Sequence, residues 1–456
     1  MERPNIIFIY ADDMGWKDAG FMASKFYDTP YIDALAASGR IFTNAYANAP
    51  NCAPSRAALM TGLYSPRTGI YTVGTSKRGK SEFRRIIPVQ NNTILDTSFV
   101  TIAEALKKNG YTSISIGKWH LGDDPGTGPL AQGFDFNVGG THLGHPKSYF
   151  SPYRNSKLSD GPEGEYLTDR LTNEALSFIE QHKDKPFFLY FPHYAVHTPL
   201  QAKENLIELF KNREPDGDQK NPVYAAMVKS LDESVGRVLL KLNELDLRKK
   251  TIVIFTSDNG GYGPATSMAP LRGSKGMLYE GGIREPFIVS WPGRIKAGTS
   301  ADYPIIGTDM FPTILSFTHT DPFPGQQFDG INLKKLSLRG KEPGERPLFW
   351  FFPAYLQRYS GIPDIWRTTP AAAVRYGDWK LIHFFETELT ELYNLKEDIG
   401  ETDELSNKFP EKKREMEELL GNWIKDTNAP VPSELNPDFD ESAYQLKLEQ
   451  IKNQKK

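Results

Sequence analysis

The stretch "NIIFIYA" at residues 5–11, followed at once by Asp12 and Asp13, decides how this chain is read. A near-continuous apolar run has no solvent face, so it fits a strand buried on both sides in a parallel sheet covered by helices. Similar runs recur as "YTSISIG" (111–117), "PFFLYFPHYAVH" (186–197), "TIVIFTSDNGG" (251–261) and "PFIVSWPG" (286–293). Between them lie helical patterns such as "SFVTIAEALKKNG", closed by Gly110, and "YAAMVKSLDESVGRVLLKLNELDL". Alternating β and α predicts an α/β body over residues 1–340, a large mostly parallel sheet sandwiched by helices. After it the texture changes to short strands ("PLFWFFP", "AAAVRYGDWKLIHFF", "ELYNLK") and the helix "PEKKREMEELLGNWIKDT". Met416, Leu419, Leu420, Trp423 and Ile424 form one apolar stripe there, a packing face. Residues 341–435 are therefore expected as a smaller C-terminal α+β domain with a short antiparallel sheet and a helix, and 436–456 as a polar, frayed tail.

Ligands of such sheets gather at the carboxyl ends of the strands, and the reactive side chains cluster there. Asp12 and Asp13 follow the first run, Lys118 and His120 the second, His197 ends the third, and Asp258 with Asn259 ends the fourth. Two adjacent carboxylates after a buried strand repel each other unless a cation joins them. With Asp258 and the Asn259 amide oxygen they make a set of hard oxygen donors suited to Ca²⁺, less to Mg²⁺, and not to Zn²⁺. Three carboxylates and a divalent cation sum to −1; Arg56, Lys118 and Lys275 bring the site to +2, a pocket for a sulfate or phosphate ester.

Composition sets the frame around this constellation. The chain has 456 residues, 39% of them hydrophobic and 24% charged, with a net charge of −3, so nothing points to nucleic acid. No run approaches the roughly 20 apolar residues of a membrane span, and no repeat is present. Cys52 is the only cysteine, so it forms no internal disulfide. It precedes "APSRAALMTG", a short helix with Pro54 in its first turn, Arg56 one turn in and Gly62 at its end. A small buried hydrophobe and a thiolate nucleophile with His120 or His197 as base are both open readings of Cys52.

The motifs taken in order resemble the type I sulfatases, the formylglycine-dependent family of the alkaline-phosphatase-like superfamily. "CAPSRAALMTG" (52–62) matches the signature Cys-x-Pro-Ser-Arg with Thr-Gly completing it. "PNIIFIYADDMGW", "GKWHLG", "HTPL", "SDNGG" and "LRGSKGMLYEGGIREPFIVSWPG" match in sequence, from near residue 4 to about 430. Lys17 and Ser274 depart from the usual pattern without touching a chemical role.

The resemblance implies that Cys52 is converted by a maturation enzyme to Cα-formylglycine, whose hydrate carries two hydroxyls. One attacks sulfur and expels the alcohol; the other loses its proton and eliminates the sulfate. It also implies that Asp12, Asp13, Asp258 and Asn259 hold Ca²⁺ with residue 52 completing the shell. In the same pattern Arg56 orients the hydrate, Lys118 and Lys275 bind sulfate oxygens, His120 is the base and His197 the acid.

Specificity is expected in loops outside these motifs. In "GGTHLGHPKSYFSPYRN" (139–155), His142, His145 and Arg154 are candidates for hydrogen bonds to a sugar, and Tyr149 or Tyr153 for stacking; Trp366 and Arg367 form a second group. The expected activity is removal of sulfate from a sulfated polysaccharide or glycosaminoglycan, acting at a chain end. An arylsulfatase, a phosphonate or phosphodiester hydrolase, and a non-catalytic anion- or glycan-binding protein with unmodified Cys52 are the alternatives. A periplasmic or secreted location is expected, with a leader removed ahead of residue 1, and a cytoplasmic one stays open.

Overall fold

The computed structural model describes residues 3–453. Eight strands form the main sheet: β1 (Asn5–Ala11), β2 (Arg40–Phe42), β3 (Thr112–Ile116), β4 (Phe136–Val138), β5 (Phe187–Pro192), β6 (Thr251–Ser257), β7 (Phe287–Ser290) and β8 (Thr299–Ala301), in the order β8-β2-β7-β6-β1-β5-β3-β4. β1 lies at the centre, parallel to both β5 and β6. Only β7 runs against its neighbours, β2 and β6.

Side chains alternate across a strand, so an apolar run with no break must be covered on both sides. Along β1, Ile7, Ile9 and Ala11 join the core built with helices α1 (Pro30–Ala37), α4 (Leu167–Gln181) and α5 (Pro222–Glu244). Ile6, Phe8 and Tyr10 face the opposite core, with α2 (Cys52–Thr61), α3 (Ile102–Lys108) and α6 (Met310–Thr318). The sheet is thus sandwiched by helices as the sequence pattern predicts. No helix among the described residues is long and apolar enough to cross a membrane.

A second, antiparallel sheet follows: β9 (Leu348–Phe352), β10 (Ala371–Tyr376), β11 (Trp379–Phe384) and β12 (Leu389–Asn394), paired in that order. Helix α7 (Pro410–Asp426) buries Met416, Leu420 and Trp423 against it, and the Trp423 ring stacks on Phe349 at 4.8 Å. The segment beyond residue 435 differs from the expected frayed tail. Residues Glu441–Asn453 form helix α8, in which Ile451 is buried and Tyr444 and Leu448 pack on the same core. The basic letters hid an apolar stripe at helical spacing. Residues 454–456, the end of that tail, lie outside the described residues.

The two sheets are joined by a buried ionic cluster. Lys380 Nζ lies 2.9 Å from Glu280 and 2.8 Å from Glu401, all three side chains out of solvent. Trp350 adds an indole N–H donated to the Ala47 carbonyl at 2.8 Å. Glu280 belongs to the loop that carries Lys275, so the smaller sheet anchors one wall of the site described next.

Candidate active site

Four elements deliver the functional side chains to one end of the main sheet. Asp12 and Asp13 leave β1, Lys118 and His120 leave β3, His197 follows β5, and Asp258 with Asn259 leaves β6. Because β5, β1 and β6 are adjacent and parallel, their carboxyl ends meet at one rim. Asp13 and His120 hold left-handed backbone conformations, with φ of 61° and 66°. Such conformations are costly for residues bearing a Cβ and concentrate at functional sites.

Helix α2 enters from the other side. Cys52 is its first residue, capped by the Asn51 side chain, and Gly62 ends it in the left-handed conformation. The Cys52 Sγ lies 3.7 Å from Asp12 Oδ1 and 3.8 Å from Asp13 Oδ1. Burial pushes its thiol up to about 12. A thiolate nucleophile with a histidine base is therefore not what this environment favours.

Each carboxylate has a cation partner. Arg56 donates to Asp258 Oδ2 from Nε at 2.9 Å and from Nη2 at 2.7 Å, and from Nη1 to the Lys118 carbonyl at 2.9 Å. Lys118 Nζ reaches both oxygens of Asp12 at 2.8 Å. Lys275 Nζ lies 2.6 and 2.7 Å from the two oxygens of Asp13. The Asn259 amide donates to Asp13 Oδ1 at 2.8 Å.

Burial drives the ionisation of this group apart. It pushes Asp12 up to about 8, although Lys118 pulls the other way. Asp13 is also raised by burial, but Lys275 and His197 outweigh that and hold it below the usual carboxylate range. His197 falls to about 3 through burial and the Lys275 charge, and burial with Lys118 pushes His120 well down too. Both imidazoles are neutral in this setting. His197 Nδ1 lies 2.7 Å from the Thr198 carbonyl, which makes Nδ1 the donor and leaves Nε2 toward Asp13, 3.5 Å away.

Ligand atoms of Asp12, Asp13, Cys52 and His197 all lie within 4.8 Å of one another. The buried Asn259 Oδ1 has no hydrogen-bond partner among the described residues. An unused carbonyl oxygen beside three buried carboxylates is the donor set of a hard divalent cation, so these residues fit one. The site opens into a cavity of about 410 Å³ lined by Cys52, His120, His197, Lys275 and residues of the outer loops.

The Sulfatase family model matches residues 4–320, and the model described as N-sulphoglucosamine sulphohydrolase, C-terminal, matches residues 274–427. The chain belongs to the sulfatase family. A protein described as sulfatase from Formosa agariphila is 32% identical over 94% of this chain and 90% of its own length. N-acetylgalactosamine-6-sulfatase of Mus musculus is 35% identical over 77% of this chain and 69% of its own. Among solved structures, Ps i-CgsB in complex with k-i-k-neocarrahexaose is 30% identical with a TM-score of 0.78, covering 99% of this chain and 98% of that one. The architecture is that of the alkaline-phosphatase-like sulfatases, and the chain is a sulfatase enzyme.

The structure of this sulfatase brings Cys52, Arg56, Lys118, His120, His197, Lys275, Asp12, Asp13, Asp258 and Asn259 into one cluster. The outer loops divide differently from the sequence expectation. His142 and His145 line the cavity, His142 held by Asp123 at 2.6 Å and His145 stacked on His197 at 6.2 Å between ring centres. Arg367 lines it as well. Tyr149 does not stack on a ligand: its ring is fully buried, and its hydroxyl is within 2.5 Å of the Tyr194 carbonyl and 2.8 Å of the His197 carbonyl. It positions the turn that carries His197. Tyr153 is buried beside Glu165, and Trp366 is buried with its indole N–H donated to the Phe83 carbonyl at 3.1 Å. Arg154 is exposed and absent from the cavity wall. Aromatic letters in a loop cannot distinguish a satellite core from a binding face. Lys17 turns away to Asp216.

Sequence reasoning missed Arg78, Tyr262, Tyr359 and Gly144, which also line the cavity. Gly144 carries a signal only in three dimensions. A Cβ there would stand 2.5 Å from His120 Nε2, so the loop crosses the imidazole where no side chain fits.

Proposed function

We propose that this sulfatase removes sulfate from a sulfated carbohydrate, acting at a chain end, with residue 52 matured to Cα-formylglycine and Ca²⁺ held by Asp12, Asp13, Asp258, Asn259 and residue 52. The observation that carries the reading is the convergence of Cys52, three buried carboxylates and three cations on one cavity. Relatives named for N-acetylgalactosamine-6-sulfate and a neighbour bound to a carrageenan oligosaccharide support a sugar as the alcohol.

When present, the hydrated aldehyde supplies a hydroxyl nucleophile with a second hydroxyl on the same carbon, and Ca²⁺ supplies positive charge for a sulfate oxygen. The chain's own residues do the rest. Asp258 fixes the Arg56 guanidinium beside position 52, which orients that residue for attack. The Lys118 and Lys275 ammonium groups, held over Asp12 and Asp13, face the same point and bind sulfate oxygens, concentrating charge where the leaving oxygen becomes negative. His120, neutral and with its Nδ1 buried and unpartnered, accepts the proton from the second hydroxyl. His197, whose Nδ1–H is held by the Thr198 carbonyl, points Nε2 into the site and serves the leaving alcohol as acid once Nε2 has taken up a proton. In this reading residues 1–340 form the catalytic unit and 341–435 the unit that braces the Lys275 loop. A maturation enzyme must act before or outside the folded state, because Cys52 is buried. That requirement fits a periplasmic or secreted protein modified during export.

The test has two parts. Mass measurement of the tryptic peptide "IFTNAYANAPNCAPSR" from the native host should show the aldehyde; a wholly unmodified cysteine refutes the nucleophile. Parallel assay of defined sulfated sugars, an aryl sulfate, a phosphodiester and a phosphonate should show sulfated sugars turned over fastest, and faster phosphonate turnover refutes the assignment. Chelation of divalent metal should abolish turnover and Ca²⁺ restore it.

A further inference from the structure

Two guanidinium groups line the same cavity as Cys52 and Lys275 without entering the chemistry at sulfur: Arg78 and Arg367. Among the described residues, the one hydrogen bond of the Arg78 side chain goes to the Val73 carbonyl, and Arg367 Nε is buried without a partner. Neither lies in an ion pair with a carboxylate among those residues. In the catalytic floor Arg56, Lys118 and Lys275 are each paired with a carboxylate. Arg78 and Arg367 are two further positive charges outside these pairs.

Their placement is constructed. The Arg367 guanidinium lies over the Tyr359 ring at 3.9 Å, and the Tyr359 hydroxyl donates to the Lys275 carbonyl at 3.0 Å. A Cβ on Gly276 would stand 2.7 Å from Arg367 Nε, so the residue after Lys275 must be glycine for the guanidinium to cross the backbone there. Gly79, next to Arg78, would place a Cβ 2.6 Å from the buried Trp366 ring. Trp366, expected with Arg367 as a substrate contact, is instead a buried support: it packs against the 78–79 turn and sits on the strand that presents Arg367. Burial, followed by the like charge of Arg78, lowers Arg367 to about 10. Two half-buried like charges on one cavity wall, neither in an ion pair, are a cost that an anionic ligand relieves.

We infer that Arg78 and Arg367 form a second anion subsite, which takes a carboxylate or a further sulfate carried by the same substrate as the scissile sulfate ester. The fork of a guanidinium matches either group through two parallel N–H···O bonds. This inference rests on the proposed sulfatase site and specifies the substrate as polyanionic.

Binding tests it separately from turnover. The chain with residue 52 as cysteine, in Ca²⁺, is titrated with phenyl sulfate, 3-sulfooxybenzoate and 1,3-phenylene disulfate, which differ only in the second anion. At least one dianion should bind about tenfold to a hundredfold tighter than phenyl sulfate. That ratio should collapse toward one in Arg367→Gln and in Arg78→Gln and recover in part in Arg367→Lys. The ratio within each variant is read, so loss of folded protein does not mimic the effect, and the arm that gains identifies carboxylate or sulfate. A ratio near one for both dianions in the unsubstituted chain, or a ratio retained in both Gln variants, overturns the subsite. Failure of matured enzyme to act on sulfated sugars while the ratio holds overturns the carbohydrate reading alone.

Discussion

Replacing Gly144 by alanine should disable this sulfatase without unfolding it. Gly144 does not hold a left-handed backbone conformation, so alanine needs no backbone change. The added Cβ would stand 2.5 Å from His120 Nε2 and closer still to Cε1, whereas ordinary contact begins near 3.4 Å. The imidazole or the loop must therefore yield by about 1 Å. His120 is buried, with its ring against the cavity wall, and its backbone is fixed by an N–H donated to the Thr141 carbonyl at 2.9 Å. The ring is what moves. A displacement of about 1 Å at a catalytic group costs on the order of 100-fold. The expected result is a fall of about that size in kcat/KM for an aryl sulfate, with thermal denaturation close to that of the parent. Gly344→Ala, where the new methyl meets nothing within 4 Å, is the matched control and should leave the rate unchanged. Activity of Gly144→Ala within about threefold of the parent would show that the close approach does not hold His120 in place.

Three further outcomes follow from the same geometry. Asp258→Asn removes the bidentate partner of the fully buried Arg56 guanidinium and leaves it only the longer 3.7 Å contact with Asp12, so chemical denaturation should show a loss of up to about 3 kcal/mol together with loss of turnover; unchanged stability refutes the pairing. Asp232, buried beneath the start of α1, accepts the N–H groups of Tyr31 and Ile32 at 2.9 Å, and burial raises it from 3.8 to about 6. Its folded value exceeds the unfolded one, so its contribution is present in full below pH 3.8 and is lost as pH rises through about 6. Relative to Asp232→Asn, which keeps the acceptor oxygen, stability should fall by about 3 kcal/mol across that window, and a flat difference refutes the shift. Tyr149→Phe removes the donor to the Tyr194 and His197 carbonyls, costing about 1 kcal/mol and lowering kcat through His197 with KM little changed. Equal loss in kcat and 1/KM would indicate a general disturbance instead.

What the sequence by itself determined was the sheet, its helical cover and the cluster of polar residues at its carboxyl rim. An apolar run such as residues 5–11 has one stable fate, burial on both faces, and that fate places Asp12 and Asp13 at its carboxyl end whatever surrounds them. Asp258, Lys118 and His197 were legible for the same reason, each standing directly after a strand. The antiparallel pairing of β7 and the helix over residues 441–453 were not legible, because partner choice and docking depend on surfaces hundreds of residues away. Tertiary structure alone decided which aromatic and basic residues of the outer loops meet the cavity. Tyr149 and Trp366 carry the same letters as a sugar platform, yet both are buried supports. Arg78 looks like one solvated charge in a polar loop, and only the fold sets it on the same cavity as Arg367, some 290 positions on. Local pattern fixes what a segment must bury, whereas the identity of a binding wall depends on which distant segment arrives to complete it.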